Sequence, residues 1–240
     1  MMMLGSMMLL AISCRNDVQD TAESQSPVVL QQKNPATVYN KAGTIRIRDN
    51  RASMAGYKAP EDAFFDLALD DVGKYTGHVC AGITSAFIMT KKALAQLYPN
   101  GEIPVRGEIR VAVSAPTDHL EVVSYITGIR AEEEKDATKG PDLVVDPSLQ
   151  GEEGTVAMVF IRKDNGKMVK TTFNKKKLFG PEKIAQTTTL KEKILKGKAS
   201  KQEQELFAET VQAIVKKLIE NPPEGAISVS ETVSYRFPEN

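Results

Sequence analysis

The feature that most constrains the fold is an uninterrupted apolar stretch over residues 155–161 (Thr-Val-Ala-Met-Val-Phe-Ile). A strand that is apolar on both faces must be covered on both, which predicts a central position in a sheet. Residues 164–166 (Asp-Asn-Gly) follow, and residues 167–173 then form the second strand of a predicted antiparallel hairpin. Asn-Gly supplies the positive φ angles of a type I′ turn, so we expect that turn here.

The other patterns mix helices with antiparallel strands irregularly, which predicts an α+β domain with a mixed or antiparallel sheet and helices packed on it. Alternation of apolar residues predicts strands over residues 42–48, 106–113 and 226–235. Helical spacing predicts helices over residues 60–75, 82–98, 118–128 and 200–221. Capping-box spacing marks the start of the last two helices at Asp118–Glu121 and Ser200–Glu203.

Three segments are predicted to lie on the surface or outside the domain. Residues 129–154 are charged and interrupted by glycine and proline, so we expect a surface loop, with the acidic cluster at 132–134 solvated. The lysines between 191 and 201 are expected to form a helix surface. Residues 15–55 are rich in polar side chains and are predicted to be a tether. The domain itself is then expected over residues 56–237.

The first 14 residues resemble a bacterial lipoprotein leader. They are apolar, too short to span a bilayer, and end in Cys14 after a small residue. We therefore expect lipidation of Cys14 and a lipid-anchored protein in the cell envelope, in the periplasm or at the outer membrane. Two features disagree, because no Lys or Arg precedes the run and Ala11 stands where leucine is commoner. The alternative is a hydrophobic leader with a chance cysteine.

Charge excludes some partners. The chain carries 31 basic and 31 acidic residues, so no net field attracts nucleic acid or anionic lipid. We expect no nucleic-acid partner and membrane contact only through the lipid anchor. If Cys14 is lipidated, Cys80 has no partner for an intramolecular disulfide, since the chain has two cysteines.

The chemistry concentrates in residues 77–82 (Gly-His-Val-Cys-Ala-Gly), directly ahead of a predicted helix. In an extended loop His78 and Cys80 point to the same side, where imidazole nitrogen and thiolate sulfur can approach one cation. Both ligand types suit zinc. The N-terminus of the following helix favours negative charge, so we expect a lowered pKa for the Cys80 thiol.

A metal site with two ligands is incomplete, and His119 or Asp118 is the candidate for a third ligand. Both stand at the start of another predicted helix, just after a strand. With three protein ligands, the fourth position of a zinc ion would hold water or substrate. The alternatives are plain packing of Cys80 at a helix entrance and a solvated His119 at a helix start.

These residues lie within a wider pattern that resembles the FmdE family of formylmethanofuran dehydrogenase proteins. Residues 75–82 are similar to the family's His-Gly-His-x-Cys-x-Gly motif. The resemblance covers most of residues 60–237, including the segments 106–111, 118–128, 154–169 and 221–229. It implies an α+β domain, a metal (usually zinc) held by His78 and Cys80, and often a dimer. The family's name comes from its association with a molybdenum enzyme of one-carbon metabolism, so it does not establish a reaction.

The chain departs from the family pattern at several positions. Thr76 replaces the first histidine, Asp118 and His119 stand where a cysteine is common, and Ile129 replaces the cysteine of Thr-Gly-Cys. The given sequence has two cysteines, too few for the cysteine-rich zinc ribbon found in family members. A bound metal would therefore have more nitrogen and oxygen ligands, which suits zinc or another divalent transition metal.

Three functions remain open at this point. The first is a lipid-anchored domain that uses an open-sided metal ion at His78 and Cys80 to hold a small molecule or a protein partner, and that forms a homodimer. The second is an enzyme with Cys80 as nucleophile and His119 as base. The third is a scaffold that has kept the fold without the chemistry.

Overall fold

The centre of the fold is a mixed five-stranded sheet, seen in a computed structural model that describes residues 36–129, 142–232 and 234–237. A separate two-stranded ribbon lies beside it. The strands are β1 Thr44–Arg48, β2 Phe64–Ala68, β3 Ile109–Val113, β4 Leu143–Val145, β5 Thr155–Arg162, β6 Met168–Asn174 and β7 Ile227–Glu231. The helices are α1 Ala36–Asn40, α2 Asn50–Met54, α3 Leu69–Thr76, α4 Ala81–Leu97, α5 Asp118–Thr127, α6 Lys175–Leu178, α7 Pro181–Leu195 and α8 Lys201–Glu220. This architecture confirms the α+β class.

The apolar stretch is the central strand, as predicted. The strand order is β4-β3-β5-β6-β7, with β3 and β4 parallel and the other pairs antiparallel. Six consecutive residues of β5, from Val156 to Ile161, are buried. Neighbouring strands on both edges and side chains on both faces remove this strand from water, which is why its sequence has no polar side.

The hairpin is confirmed, but its predicted turn type is wrong. Gly166 has a φ of 70°, whereas Asn165 does not adopt a positive φ. The Asn165 side chain instead accepts a hydrogen bond from the Lys167 amide at 2.9 Å. The Arg162 amide donates to the Lys167 carbonyl, so four residues connect the strands in place of the two of a type I′ turn, and one glycine with positive φ suffices.

One face of the sheet carries the main core. The buried helix α4 packs across β6, with α5 and α8 against α4. Its apolar side chains meet residues such as Val111, Phe160 and Phe173 from the sheet. The opposite face is covered by Leu149 and Phe237, with Tyr235 packed alongside. Within the described residues, no helix has the length and apolar character needed to cross a bilayer.

Three predicted helices are confirmed, as α4 for residues 82–98, α5 for 118–128 and α8 for 200–221. Two predicted strands are confirmed as well, as β3 within residues 106–113 and β7 within 226–235. The capping box at Ser200 is present, with Ser200 and Glu203 bonding each other's backbone amides. The box expected at Asp118 is absent. Thr117 is the N-cap residue of α5, Asp118 is already helical, and no side chain caps that end.

The predicted helix over 60–75 is only half right. Residues 64–68 form β2, and helix α3 begins at Leu69. Strand β2 pairs antiparallel with β1, with Ile45 opposite Leu67 and Ile47 opposite Phe65. Burial of these apolar pairs against the core overrides the helical spacing of the sequence.

The tether was expected to reach residue 55, and the structure places its second half in the domain. Residues 36–54 form α1, β1 and α2, and both Ile45 and Ile47 are core residues. The loop expected over 129–154 also differs where it is described, because Leu143 and Val144 are buried in an edge strand parallel to β3. Cys14, the leader and residues 132–134 lie outside the described residues.

Candidate metal centre

The His-x-Cys motif is the whole connection between two helices. Helix α3 ends at Thr76, and Gly77 closes it in the left-handed conformation with φ 76°. The Thr76 hydroxyl lies 3.0 Å from the Val72 carbonyl and 2.9 Å from the His78 carbonyl, so its one hydrogen is shared between the end of α3 and the turn. Cys80 is then the extended N-cap residue of α4, with φ −128° and ψ −176°. Gly77 is required here because side chains rarely tolerate that φ.

The ring of His78 is oriented by its own turn. Its Nδ1 lies 3.2 Å from the Thr76 carbonyl oxygen. Because a carbonyl can only accept, Nδ1 carries the hydrogen and Nε2 keeps a free lone pair. A backbone carbonyl that holds one ring nitrogen while the other faces a metal is the usual arrangement of a ligating histidine. The His78 residue is exposed to solvent.

Asp118 completes a group of three ligand-type side chains. It is the first residue of α5, and its Oδ2 lies 3.2 Å from Cys80 Sγ. One ligand atom from each of His78, Cys80 and Asp118 lies within 4.8 Å of the others. In the part of the chain that the structure describes, this is the one grouping of three or more such residues that could hold a metal ion.

Gly82 allows the carboxylate to reach this position. A Cβ atom on Gly82 would overlap the carboxylate group of Asp118. Any side chain there would require Asp118 to move from this position. The contact of Gly82 with Asp118 is visible only in the tertiary structure.

The Cys80 thiol is protonated at neutral pH in the metal-free protein. Burial raises its pKa to about 11, and the carboxylate of Asp118 adds to this effect, while the backbone amides of Ile83 and Gly82 oppose it. The predicted lowering by the helix N-terminus is therefore wrong. Loss of solvation for the thiolate and a nearby negative charge outweigh the helix amides. A divalent cation would reverse the balance by displacing the thiol proton.

His119 lies outside the group of three, with its ring buried and hydrogen-bonded at both nitrogens. Ser85 Oγ lies 3.1 Å from Nε2, and Thr117 Oγ1 lies 3.1 Å from Nδ1. Ser85 donates its only hydrogen to the Gly82 carbonyl at 2.9 Å, so it must accept from Nε2. Thr117 then donates to Nδ1. The structure therefore gives His119 no lone pair to offer a metal ion.

Burial also keeps His119 neutral. It lowers the pKa of the ring to about 4, Asp118 opposes this and Lys175 adds to it. The ring packs on Phe173 of β6, with the two centroids 6.2 Å apart. The side chain is 1% exposed, so the prediction of a solvated residue at a helix start is wrong as well.

The chemistry of the three donors fits a transition metal. One imidazole nitrogen, one sulfur and one carboxylate oxygen form a mixed set of the kind that zinc accepts. Residues 75–228 match the family described as FmdE, molybdenum formylmethanofuran dehydrogenase operon. The chain belongs to the FmdE family. The matched part of this FmdE domain contains all three donors and every strand of the mixed sheet except the last residues of β7. No curated protein shows a significant match to the chain.

Proposed function

We propose that this FmdE domain binds a divalent transition metal, with zinc as the best fit, through His78, Cys80 and Asp118. The observation that carries the proposal is the convergence of three different ligand types within 4.8 Å, from two separate helix starts. The orientation of His78 by the Thr76 carbonyl supports it, because it leaves Nε2 free as a donor.

Three protein donors leave a coordination position for an external group. Zinc sites of this kind hold water or substrate at the fourth position, whereas closed structural sites use four protein ligands. The exposure of His78 to solvent supports access of an external group to that position. We propose that a small molecule or a group on a protein partner binds there. When bound, the metal supplies Lewis acidity to that group.

The alternative of a cysteine nucleophile has less support from the same contacts. A base that activates Cys80 must contact the sulfur, yet His119 is held by Ser85 and Thr117. The carboxylate of Asp118 lies against the sulfur itself and not against a histidine nitrogen. In a nucleophile–base–acid arrangement the carboxylate orients the base instead. Here it raises the pKa of the thiol.

We further propose that the protein is anchored to the cell envelope by a lipid on Cys14 and acts there as a homodimer. Support for the anchor comes from the sequence, in the short apolar run that ends in a small residue and Cys14. The dimer rests on the family resemblance. Labelling with a clickable fatty acid in a bacterial host tests the anchor, since Cys14→Ser should abolish incorporation.

Metal analysis of the full-length protein tests the main proposal. We expect about one zinc per chain in protein purified without added metal. Cys80→Ser, His78→Ala and Asp118→Asn should each weaken zinc binding about 100-fold or more in competition with a chromophoric chelator. Glu121→Gln is the matched control for Asp118→Asn, because Glu121 is an exposed acid in the same first turn of α5. Wild-type protein without a tight divalent-metal site would refute the proposal.

A further inference from the structure

Helices α4 and α5 are connected near their N-termini by a bridge of hydrogen bonds that Ser85, His119 and Thr117 form. Ser85, in the second turn of α4, accepts from His119 and donates to the Gly82 carbonyl. Thr117, the residue before Asp118, donates to the other nitrogen of the same ring. The bond between Ser85 and His119 therefore connects α4, whose N-cap residue is Cys80, with α5, which starts at Asp118.

This bridge takes the place of an ordinary helix cap. Thr117 is the N-cap residue of α5, but its side chain makes no capping bond to the helix. Its hydroxyl is used by His119 instead. Threonine at an N-cap normally bonds the amide two or three residues on. The Thr117 hydroxyl thus bonds a side chain of its own helix, and the contact between α5 and α4 is the bond between His119 and Ser85.

The ring is well suited to hold a fixed distance. It is 1% exposed, packs on Phe173 and makes one bond at each nitrogen. A neutral imidazole has one donor and one acceptor, and both are matched here. A buried group with all its bonds satisfied has one favourable orientation, since any rotation leaves a polar atom unpaired.

We propose that His119 is a positioning residue for the metal centre. Its bond to Ser85 holds the start of α5 against α4, and its bond to Thr117 fixes the orientation of the ring, so that the Asp118 carboxylate stays 3.2 Å from Cys80 Sγ. This inference rests on the proposed metal-binding function and assigns His119 a role behind the ligands in place of a role among them. Residues that orient metal ligands in this way typically change metal affinity by about 10- to 100-fold.

Zinc titration of full-length variants provides the test. Thr117→Val removes the bond that fixes the orientation of the ring, while the ring, its packing and its bond to Ser85 remain, and His119→Phe removes both bonds. We expect zinc affinity to fall about tenfold in Thr117→Val and more in His119→Phe. His119→Gln retains a donor for Ser85 and should recover part of the loss. Thr90→Val is the matched control, because it removes a buried hydroxyl two turns along α4 that bonds only its own helix.

A double-mutant cycle separates positioning from a general loss of stability. If His119 acts through Asp118, Thr117→Val should have little further effect on zinc affinity in an Asp118→Asn background. Additive losses would overturn the inference, and so would unchanged affinity in Thr117→Val. If the wild-type protein binds no zinc, the proposed function fails. A crystal structure of metal-free Thr117→Val then tests the inference. The contact between Cys80 Sγ and Asp118 Oδ2 should be lost in it, and an intact contact would overturn the inference.

Discussion

The two histidines of this chain have opposite environments, although each stands within two residues of a candidate metal ligand. His78 lies in an exposed loop between α3 and α4, and its ring bonds the carbonyl of Thr76 through Nδ1. His119 is buried between α4, α5 and β6, with both ring nitrogens bonded. The ability of each histidine to bind metal therefore depends on whether one ring nitrogen has no hydrogen-bond partner. We expect His78 to matter for metal affinity and His119 for stability and for placement of Asp118.

Alanine substitution should give the largest contrast between the two residues. His119→Ala leaves a cavity and two hydroxyls without their partner, so we expect a loss of about 3 kcal/mol in the free energy of unfolding. His78→Ala changes an exposed side chain and should cost less than about 0.5 kcal/mol. Urea unfolding in the presence of a chelator measures both. Equal losses for the two variants would contradict the contrast.

The pH dependence of stability should reveal the buried ring next. The pKa of His119 is lowered to about 4 from its usual 6.5, so the unfolded chain binds a proton that the folded chain does not between these values. Stability should therefore rise with pH through this window, and about 3 kcal/mol should be lost on going from pH 6.5 to 4.

The comparison that isolates this effect is between wild type and His119→Phe without metal. Carboxylates titrate in the same range, so only the difference between the two proteins reports on the ring. We expect the wild-type slope to be steeper by up to one proton. If the free energy of unfolding changed with pH equally in both proteins, the pKa of His119 would not be lowered by burial.

Gly82→Ala should change the metal site without harming the fold. The new Cβ would overlap the Asp118 carboxylate, so we expect zinc affinity to fall about 10-fold or more. The melting temperature of the metal-free protein should hold, because alanine favours a helix over glycine. Gly180→Ala is the matched control, since Gly180 starts α7 and a Cβ there meets open space. Unchanged zinc affinity in Gly82→Ala would show that Asp118 is not a metal ligand.

The smallest expected effect is the proton that zinc displaces from Cys80. The pKa of the thiol is about 11, so it carries a proton throughout the range from pH 7 to 8.5. Zinc affinity should rise about tenfold per pH unit across that range, with about one proton released from the thiol. Calorimetry in two buffers of different ionisation enthalpy measures this release. Cys80→Ser should bind weakly and lose the slope, and a wild-type affinity independent of pH would argue against a thiolate ligand.

Elements whose signals are local can be predicted from the amino-acid sequence. The apolar run of β5, the helix over 82–98 and the capping box at Ser200 depend on neighbours within a few residues, and all three are confirmed. The pairing of His78 with Cys80 is equally local, since one residue separates them. The family pattern adds the order of these segments along residues 75–228.

Contacts between residues far apart in the chain follow from the packing of the complete domain. Asp118 reaches Cys80 because Gly82 leaves room for it, and His119 turns inward because Ser85 and Thr117 satisfy its ring. In the same way Ile45 and Ile47 join the core through a partner strand that helical spacing had concealed. The physical reason is that burial and hydrogen bonding depend on the complete surroundings of a side chain. Those surroundings come from residues far apart in the chain, whereas periodicity and spacing report only on its neighbours.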